Sequence, residues 1–317
     1  MAMNYETLLV TKENGITTIA FNRPEKRNAM SPQLHNEMFE LLTDLRYDPE
    51  TRVIVLTGVG ENFCAGQDLK QYSLDMETQP QRVRDELRDK VRRWRNEMLR
   101  TLPQPVIARI TGWCLGGALT VTAGCDIAIA SAEARFGLPE VNFGHFPAGE
   151  TTAVLTEHLQ PKHGLYYALT GKMMTAHEAE RIGLISKVVP RAALDDEVAE
   201  LAKCLAEKSP MALKAVKEAW YYSWYSPPDV AFEISNLISQ RTIREHGGRP
   251  GLEQFVQKKL RPVSGAMSLE TKSRCGCLGS RPAMARACSV TMPPKRTQIR
   301  LELTSKNFVA RKIAGFH

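Results

Sequence analysis

The sequence has no apolar run of the roughly 18 residues that a membrane-spanning helix needs, and its first residues carry no apolar core behind basic ones. A spanning protein and a secretory leader are both excluded as expectations. That leaves an intracellular, cytoplasmic chain as the default. Cysteine is sparse and irregular: Cys64, Cys114, Cys125 and Cys204 are scattered, and Cys275, Cys277 and Cys288 lie near the end. An odd total of 7 with no C-x-x-C pair excludes a disulfide framework and gives no zinc or other metal site. The body cysteines read as small buried hydrophobes.

The body also lacks net charge. The chain as a whole carries +7, but ten Lys and Arg against two acids lie from Ser264 onward, leaving 32 against 33 in the first 263 residues. The basic surplus therefore belongs to a tail, 264–317, with no sustained helical or strand period, which reads as disordered. It has no interleaved aromatics and no recognisable module, so it gives little ground for a nucleic-acid partner.

With 43% apolar residues in 317, the rest can bury a large core. Residues 8–11 and 16–21 read as strands around the turn Asn14-Gly15. Ser31-Pro32 opens a helix, with Leu34, Met38, Leu41, Leu42 and Leu45 on one face. A strand is expected over 52–58, and a long, Arg-rich, solvated helix over 79–102 before Pro103 and Pro105. Thr175 and Glu178 form a capping box, and 184–190 is a short strand. Helices follow over 194–208, 210–225, 228–246 and 251–260. Strands early and helices late give an α/β core, 1–190, followed by a helical region, 191–263, with enough apolar face to cover a neighbouring subunit.

The stretch from Trp113 to Gly144 carries the chemistry. Strand-like 106–111 runs through Gly112 to the pair Gly116-Gly117 and then into an apolar segment without charge until Asp126. That is a strand-to-helix turn whose glycines let backbone N–H groups approach a ligand. Glu140 follows as the only carboxylate of its loop. An anion-stabilising turn beside one isolated acid suits a reaction in which a negative oxygen forms while a proton moves.

Five co-linear pieces, N-R-P-E-K-R-N-A-M-S (22–31), F-C-A-G-Q-D-L-K (63–70), G-W-C-L-G-G-A-L (112–119), G-C-D-I-A-I-A (124–130) and F-G-L-P-E-V (136–141), resemble the crotonase, or enoyl-CoA hydratase/isomerase, superfamily over residues 5–261. The resemblance implies a crotonase-type spiral of ββα repeats with a helical C-terminal oligomerisation region. It implies homotrimers or dimers of trimers, and a coenzyme A thioester substrate with no separate cofactor. The backbone N–H groups of Gln67 and Gly117 match the family's oxyanion hole, and Glu140 its acid. Lys26, Arg27, Ala29, Asp68 and Leu69 fall where relatives line the coenzyme A pocket, and Phe255 and Lys258 where the nucleotide end is reached.

Hydratases of the simple enoyl type place a second glutamate where this chain has Thr120. The one-glutamate hydroxycinnamoyl-CoA hydratase-lyases share R-P-E-K-R-N-A-M-S-P, G-W-C, D-L-K-x-Y, L-Y-Y-x-x-T-G-K (165–172) and G-G-R (247–249). Tyr72 matches their phenol-contacting tyrosine. Their second such tyrosine has no counterpart, Ile234 and Phe232 lying nearest, and the loop G-H-F-P-A-G-E (144–150) differs by an acid. In that loop Glu150 and His145 are candidates for a second acid/base or for packing. An enoyl-CoA isomerase using Glu140 alone, a two-carboxylate hydratase using Glu140 with Glu150, and a non-catalytic RNA-associated relative stand as the alternatives.

Overall fold

Asn14 and Gly15 both take positive φ, 51° and 78°, the backbone that a two-residue hairpin of matching twist requires. They join β1 (Leu8–Glu13) to β2 (Ile16–Phe21) in antiparallel register, in the computed structural model that describes residues 5–246. Ser31 Oγ then accepts from Leu34 N at 3.2 Å and Pro32 occupies the first turn, starting α1 (Pro32–Leu45). The face of α1 expected from its spacing is buried, with Leu34, Met38 and Leu42 fully so. Each such side chain is worth about 2–5 kcal/mol against alanine.

From β2 onward the chain winds. β3 (Val53–Gly58) pairs parallel to β2 and is buried throughout, as suits a strand covered on both faces. After it come a π-helical turn (Leu69–Leu74), α2 (Asp75–Glu77) and α3 (Gln81–Arg92). A second π-helical turn (Arg93–Met98) leads into α4 (Leu99–Thr101). Next are β4 (Val106–Ile110), β5 (Trp113–Leu115), α5 (Gly117–Gly124), β6 (Ile127–Ser131) and β7 (Arg135–Gly137). α6 (Thr151–His158), α7 (Pro161–Thr170), β8 (Met174–Thr175), α8 (Ala176–Arg181) and β9 (Lys187–Val189) complete the core.

The large sheet runs β1-β2-β3-β4-β6-β9, parallel after the first pair, and the small one runs β5-β7-β8. Isolated bridges Met30 to Gln67 and Cys64 to Cys114 extend the small stack. Each winding thus lays one strand in the large sheet, one short rung in the small stack, and then helix. The rungs are Met30, the 64–67 segment, β5 and β7, which is the mixed α/β spiral expected.

α9 (Leu194–Ala206) seals the outer face of the large sheet, packing Leu194, Val198 and Ala202 on Val53, Val55, Ile107 and Ile129. α10 (Pro210–Tyr225) and α11 (Pro228–His246) follow, with the bounds expected from sequence. Lys217 fastens α10 to the core: Nζ pairs with Asp126 Oδ2 at 2.6 Å and donates to Gln104 O at 2.8 Å and Leu99 O at 3.2 Å. Trp220, Trp224, Phe232, Leu237 and Ile243 on these two helices remain exposed.

Two expectations change. The strand over 184–190 shortens to Lys187–Val189. The solvated helix over 79–102 is solvated only to Arg92, after which Trp94, Arg95, Met98, Leu99 and Arg100 are buried. A π turn takes more residues per turn than an α-helix, so it rotates the polar face inward there. The helix 251–260, Phe255, Lys258, the G-G-R at 247–249 and the tail lie outside the described residues. Among the described residues no helix is long and apolar enough to cross a membrane, and no cluster of His, Cys, Asp and Glu could hold a metal.

Candidate active site

Three successive rungs meet at the centre of the small stack. Cys64 N donates to Trp113 O at 2.9 Å and Leu115 N donates to Cys64 O at 3.0 Å. On the other side Met30 N donates to Gly66 O at 2.7 Å and Asp68 N to Met30 O at 2.9 Å. Because Met30 bonds to the residues flanking Gln67, the N–H of Gln67 itself turns away from Met30. Gly66 lies against the next rung, where a Cβ would come 2.8 Å from Leu115 O and 3.7 Å from Gly117 N. Gly117 is the first residue of α5, so its N–H has no partner within the helix.

Gly116 sits at φ 53°, which favours glycine, and a Cβ there would come 2.7 Å from Glu140 Oε1. A Cβ on Gly117 would strike Arg95 Nη1. Two adjacent glycines therefore hold an acid over one and a guanidinium over the other.

Glu140 is carried by the 3₁₀ turn Pro139–Phe143. Burial raises its carboxyl above the usual range, and its Oε2 is buried without a hydrogen-bond partner. It thus holds a proton more readily than a free carboxyl does, as a proton carrier should.

Gln67 is held by a relay absent from the sequence reading. Trp94 Nε1 donates to His35 Nδ1 at 3.0 Å, so His35 Nε2 carries the proton and donates to Gln67 Oε1 at 2.7 Å. Burial, aided by the nearby Arg95 charge, pushes the His35 imidazole down to about 3; it is neutral in use. The available signal was its place on α1 beside Leu34 and Met38, on a face that is otherwise apolar.

Tyr72, from the first π turn, stands edge-on to His35 with ring centroids 5.2 Å apart. Burial raises its phenol, with the charges of Arg95 and Glu150 also acting on it. Its outer side lines a cavity of about 160 Å³ shared with Ser73, Met76, Arg84, Leu87 and Arg88. Glu150 is brought to the same region, its Oε1 2.5 Å from Arg95 Nη2, and Arg95 is buried. Thr120 is fully buried and donates to Thr151 Oγ1 at 3.0 Å, so its hydroxyl is already engaged. His145 is exposed, its ring 5.8 Å from Phe143, and its N–H donates to Glu140 O at 3.0 Å.

The N-R-P-E-K-R-N-A-M-S segment forms a turn with Arg27 and Asn28 at φ 50° and 58°. Asn28 Nδ2 donates to Asn62 O at 2.7 Å and Val59 O at 3.0 Å, tying that turn to the next winding. Asp68 is committed to architecture: Oδ2 accepts from Arg23 Nη2 at 2.9 Å and Oδ1 from Gln71 N at 3.0 Å. Lys26, Arg27 and Leu69 are exposed beside it and Ala29 is half-buried.

A model of the family described as enoyl-CoA hydratase/isomerase matches residues 11–263. The chain is 37% identical over 260 residues to a hydroxycinnamoyl-CoA hydratase-lyase of Pseudomonas fluorescens, covering 80% of this chain and 94% of that one. It is 34% identical over 260 residues to an (E)-benzylidenesuccinyl-CoA hydratase of Thauera aromatica, covering 80% and 97%. The solved enoyl-CoA hydratase of Mycobacterium smegmatis superposes with a TM-score of 0.75 at 27% identity, covering 81% and 98%. Motifs and winding agree with these likenesses: the chain belongs to the enoyl-CoA hydratase/isomerase (crotonase) family and is a hydratase/lyase-type enzyme of coenzyme A thioesters.

Proposed function

We propose that the enzyme adds water to a hydroxycinnamoyl-CoA of the feruloyl type and cleaves the adduct by retro-aldol reaction to an aromatic aldehyde and acetyl-CoA. The observation that carries this reading is the shared placement of the half-buried acid Glu140 and the turn-bound Gln67 and Gly117, with a phenol, Tyr72, beside the His35 that holds Gln67. The 37% identical relative bears a hydratase-lyase name, which supports it.

In this reading the thioester carbonyl takes on enolate charge between the N–H groups of Gln67 and Gly117, each donor being worth about 3–4 kcal/mol in the barrier. Glu140 relays water's proton to the α-carbon as the water oxygen bonds to the β-carbon. Tyr72, its phenol kept protonated by burial, donates to the substrate's phenolic oxygen. Lys26, Arg27, Ala29 and Leu69 line the coenzyme A pocket, with Asp68 bracing it. Coenzyme A arrives with the substrate and no further cofactor takes part. The exposed aromatic face of α10 and α11 packs on a second copy, in a trimer or a dimer of trimers.

Purified enzyme given feruloyl-CoA is expected to release vanillin and acetyl-CoA. Unchanged feruloyl-CoA beside turnover of crotonyl-CoA or a 3-enoyl-CoA would sink cleavage. A second reading, hydration alone, draws on the second carboxylate that the structure brings in, Glu150; 3-hydroxyacyl-CoA accumulating as the only product would favour it.

A further inference from the structure

The pair formed by Arg95 and Glu150 has the cost of a buried ion pair without the geometry of a stabilising one. Arg95 is 4% exposed at its side chain and Glu150 15%. Removing two charges from water is costly, and an apolar pair of the same volume commonly does as well for stability. Their contact at 2.5 Å is not aligned as a hydrogen bond, since Glu150 Oε1 and Arg95 Nε are both buried without a hydrogen-bond partner. Arg95 also stands over Gly117, at the N-terminus of α5. A cation there opposes the positive end of the helix dipole. The arrangement gathers positive potential and leaves one carboxylate oxygen unsatisfied.

The placement of Glu150 fits a missing function. Thr120, on the first turn of α5, holds Thr151, the residue next to Glu150. The loop that leaves Glu140 therefore returns its second acid to the beginning of α5. Glu140 lies over Gly116 and is in no ion pair among the described residues, whereas Glu150 pairs with the guanidinium that lies over Gly117. Two carboxylates in such unequal surroundings can divide the roles of proton carrier and hydrogen-bond acceptor.

We propose that Glu150 is the carboxylate that orients the attacking water and that Arg95 is its positioning residue, holding it beside the glycine pair. The inference rests on the reading of the site as one that adds water to an enoyl thioester. Water places one proton on the α-carbon through Glu140, and its oxygen bonds to the β-carbon as the C=C electron pair moves into the enolate. Its second O–H stays on oxygen, donating to Glu150. No other reactant is consumed. The groups facing this pair are Tyr72 from the first π turn, His35 from α1 and Cys64 from its rung. His35 is neutral and burial pushes the Cys64 thiol up to about 12, so His35 offers no rival cation to Glu150 and Cys64 no rival anion to Arg95.

The test separates water addition from proton abstraction. Hydration of crotonyl-CoA and feruloyl-CoA is measured beside exchange of the α-protons of butyryl-CoA in D₂O, which needs Glu140 and the two N–H groups but no attacking water. Glu150→Gln, nearly isosteric, is expected to lose hydration by about 100-fold or more while exchange falls only a few-fold; Glu140→Gln loses both. Arg95→Gln is expected to lower kcat for hydration about tenfold or more while leaving α-proton exchange within a few-fold, because Glu150 is then no longer held in place; Arg95→Lys restores hydration in part. Near-normal hydration in Glu150→Gln, or equal losses of hydration and exchange, overturns the proposal. So does an effect on KM alone, which would make Arg95 a receptor for a substrate anion. Wild-type enzyme that exchanges α-protons but hydrates neither substrate overturns the hydration reading itself, and that failure shows before any variant is made.

Discussion

Trp94 Nε1 donates to His35 Nδ1 at 3.0 Å, and this one bond sets which imidazole nitrogen faces Gln67. The indole N–H can only donate, so Nδ1 must accept and Nε2 must carry the hydrogen that holds the Gln67 side chain.

Trp94→Phe is expected to leave Nδ1 buried and unpaired, at about 1–3 kcal/mol in urea unfolding. Freed from its tautomer, the relay loosens Gln67, and turnover falls roughly tenfold as the N–H is less well aimed. Lost stability with unchanged kcat would show the relay to be architectural only.

His35 also makes a pH prediction. Its folded value lies near 3 against an ordinary 6.5, so below pH 6.5 the unfolded chain binds the extra proton. The stability it contributes is fully present above pH 6.5 and is lost as pH falls towards 3, roughly 3 kcal/mol by pH 4. His35→Gln should flatten that part of the stability profile measured by denaturant titration.

Gly117→Ala drives a methyl into the Arg95 guanidinium, and Gly116→Ala meets both Glu140 and a left-handed backbone. Each is expected to lower kcat by about 100-fold or more, the scale of one misplaced anion-stabilising donor. Circular dichroism should show the secondary structure retained.

Burial pushes the Asp126 carboxyl up and the Lys217 ammonium down, each against the pull of the other. Lys217→Met leaves the Asp126 carboxylate without its cation, held by Val106 N and the Tyr221 hydroxyl, and should cost about 3–5 kcal/mol, part of it recovered when Asp126→Leu is added. Unfolding is compared at one protein concentration, so that the proposed assembly contributes equally to each measurement.

Trp220→Asp with Trp224→Asp, on the exposed face of α10, is expected to shift light-scattering mass towards the single chain. An unchanged mass would overturn the proposal that this face packs on a second copy.

The hairpin at Asn14-Gly15, the start of α1 at Ser31-Pro32, the capping box at Thr175 and the bounds of α10 were legible because local chemistry decides them. Glu140 and the glycine pair were legible for the same reason: a lone acid and two adjacent glycines stand out from their surroundings. Arg95 was not. It lies in R-D-K-V-R-R-W-R, where an α-helical period assigns it to a solvated charged face, and only the π turn carries it inward. The tautomer of His35 depends on Trp94, 59 residues away, and no local pattern reports a partner at that distance.

The rungs of the small stack have a consequence for how such a catalyst can change. Gln67, Gly117 and Glu140 come from successive windings, Gln67 at the end of its rung and the other two just after theirs. Strand spacing of about 4.8 Å therefore works as a fixed ruler between them. Mutation can exchange the tool mounted at any one station while the interval to the next is preserved, so new chemistry can be explored one station at a time on an unaltered frame.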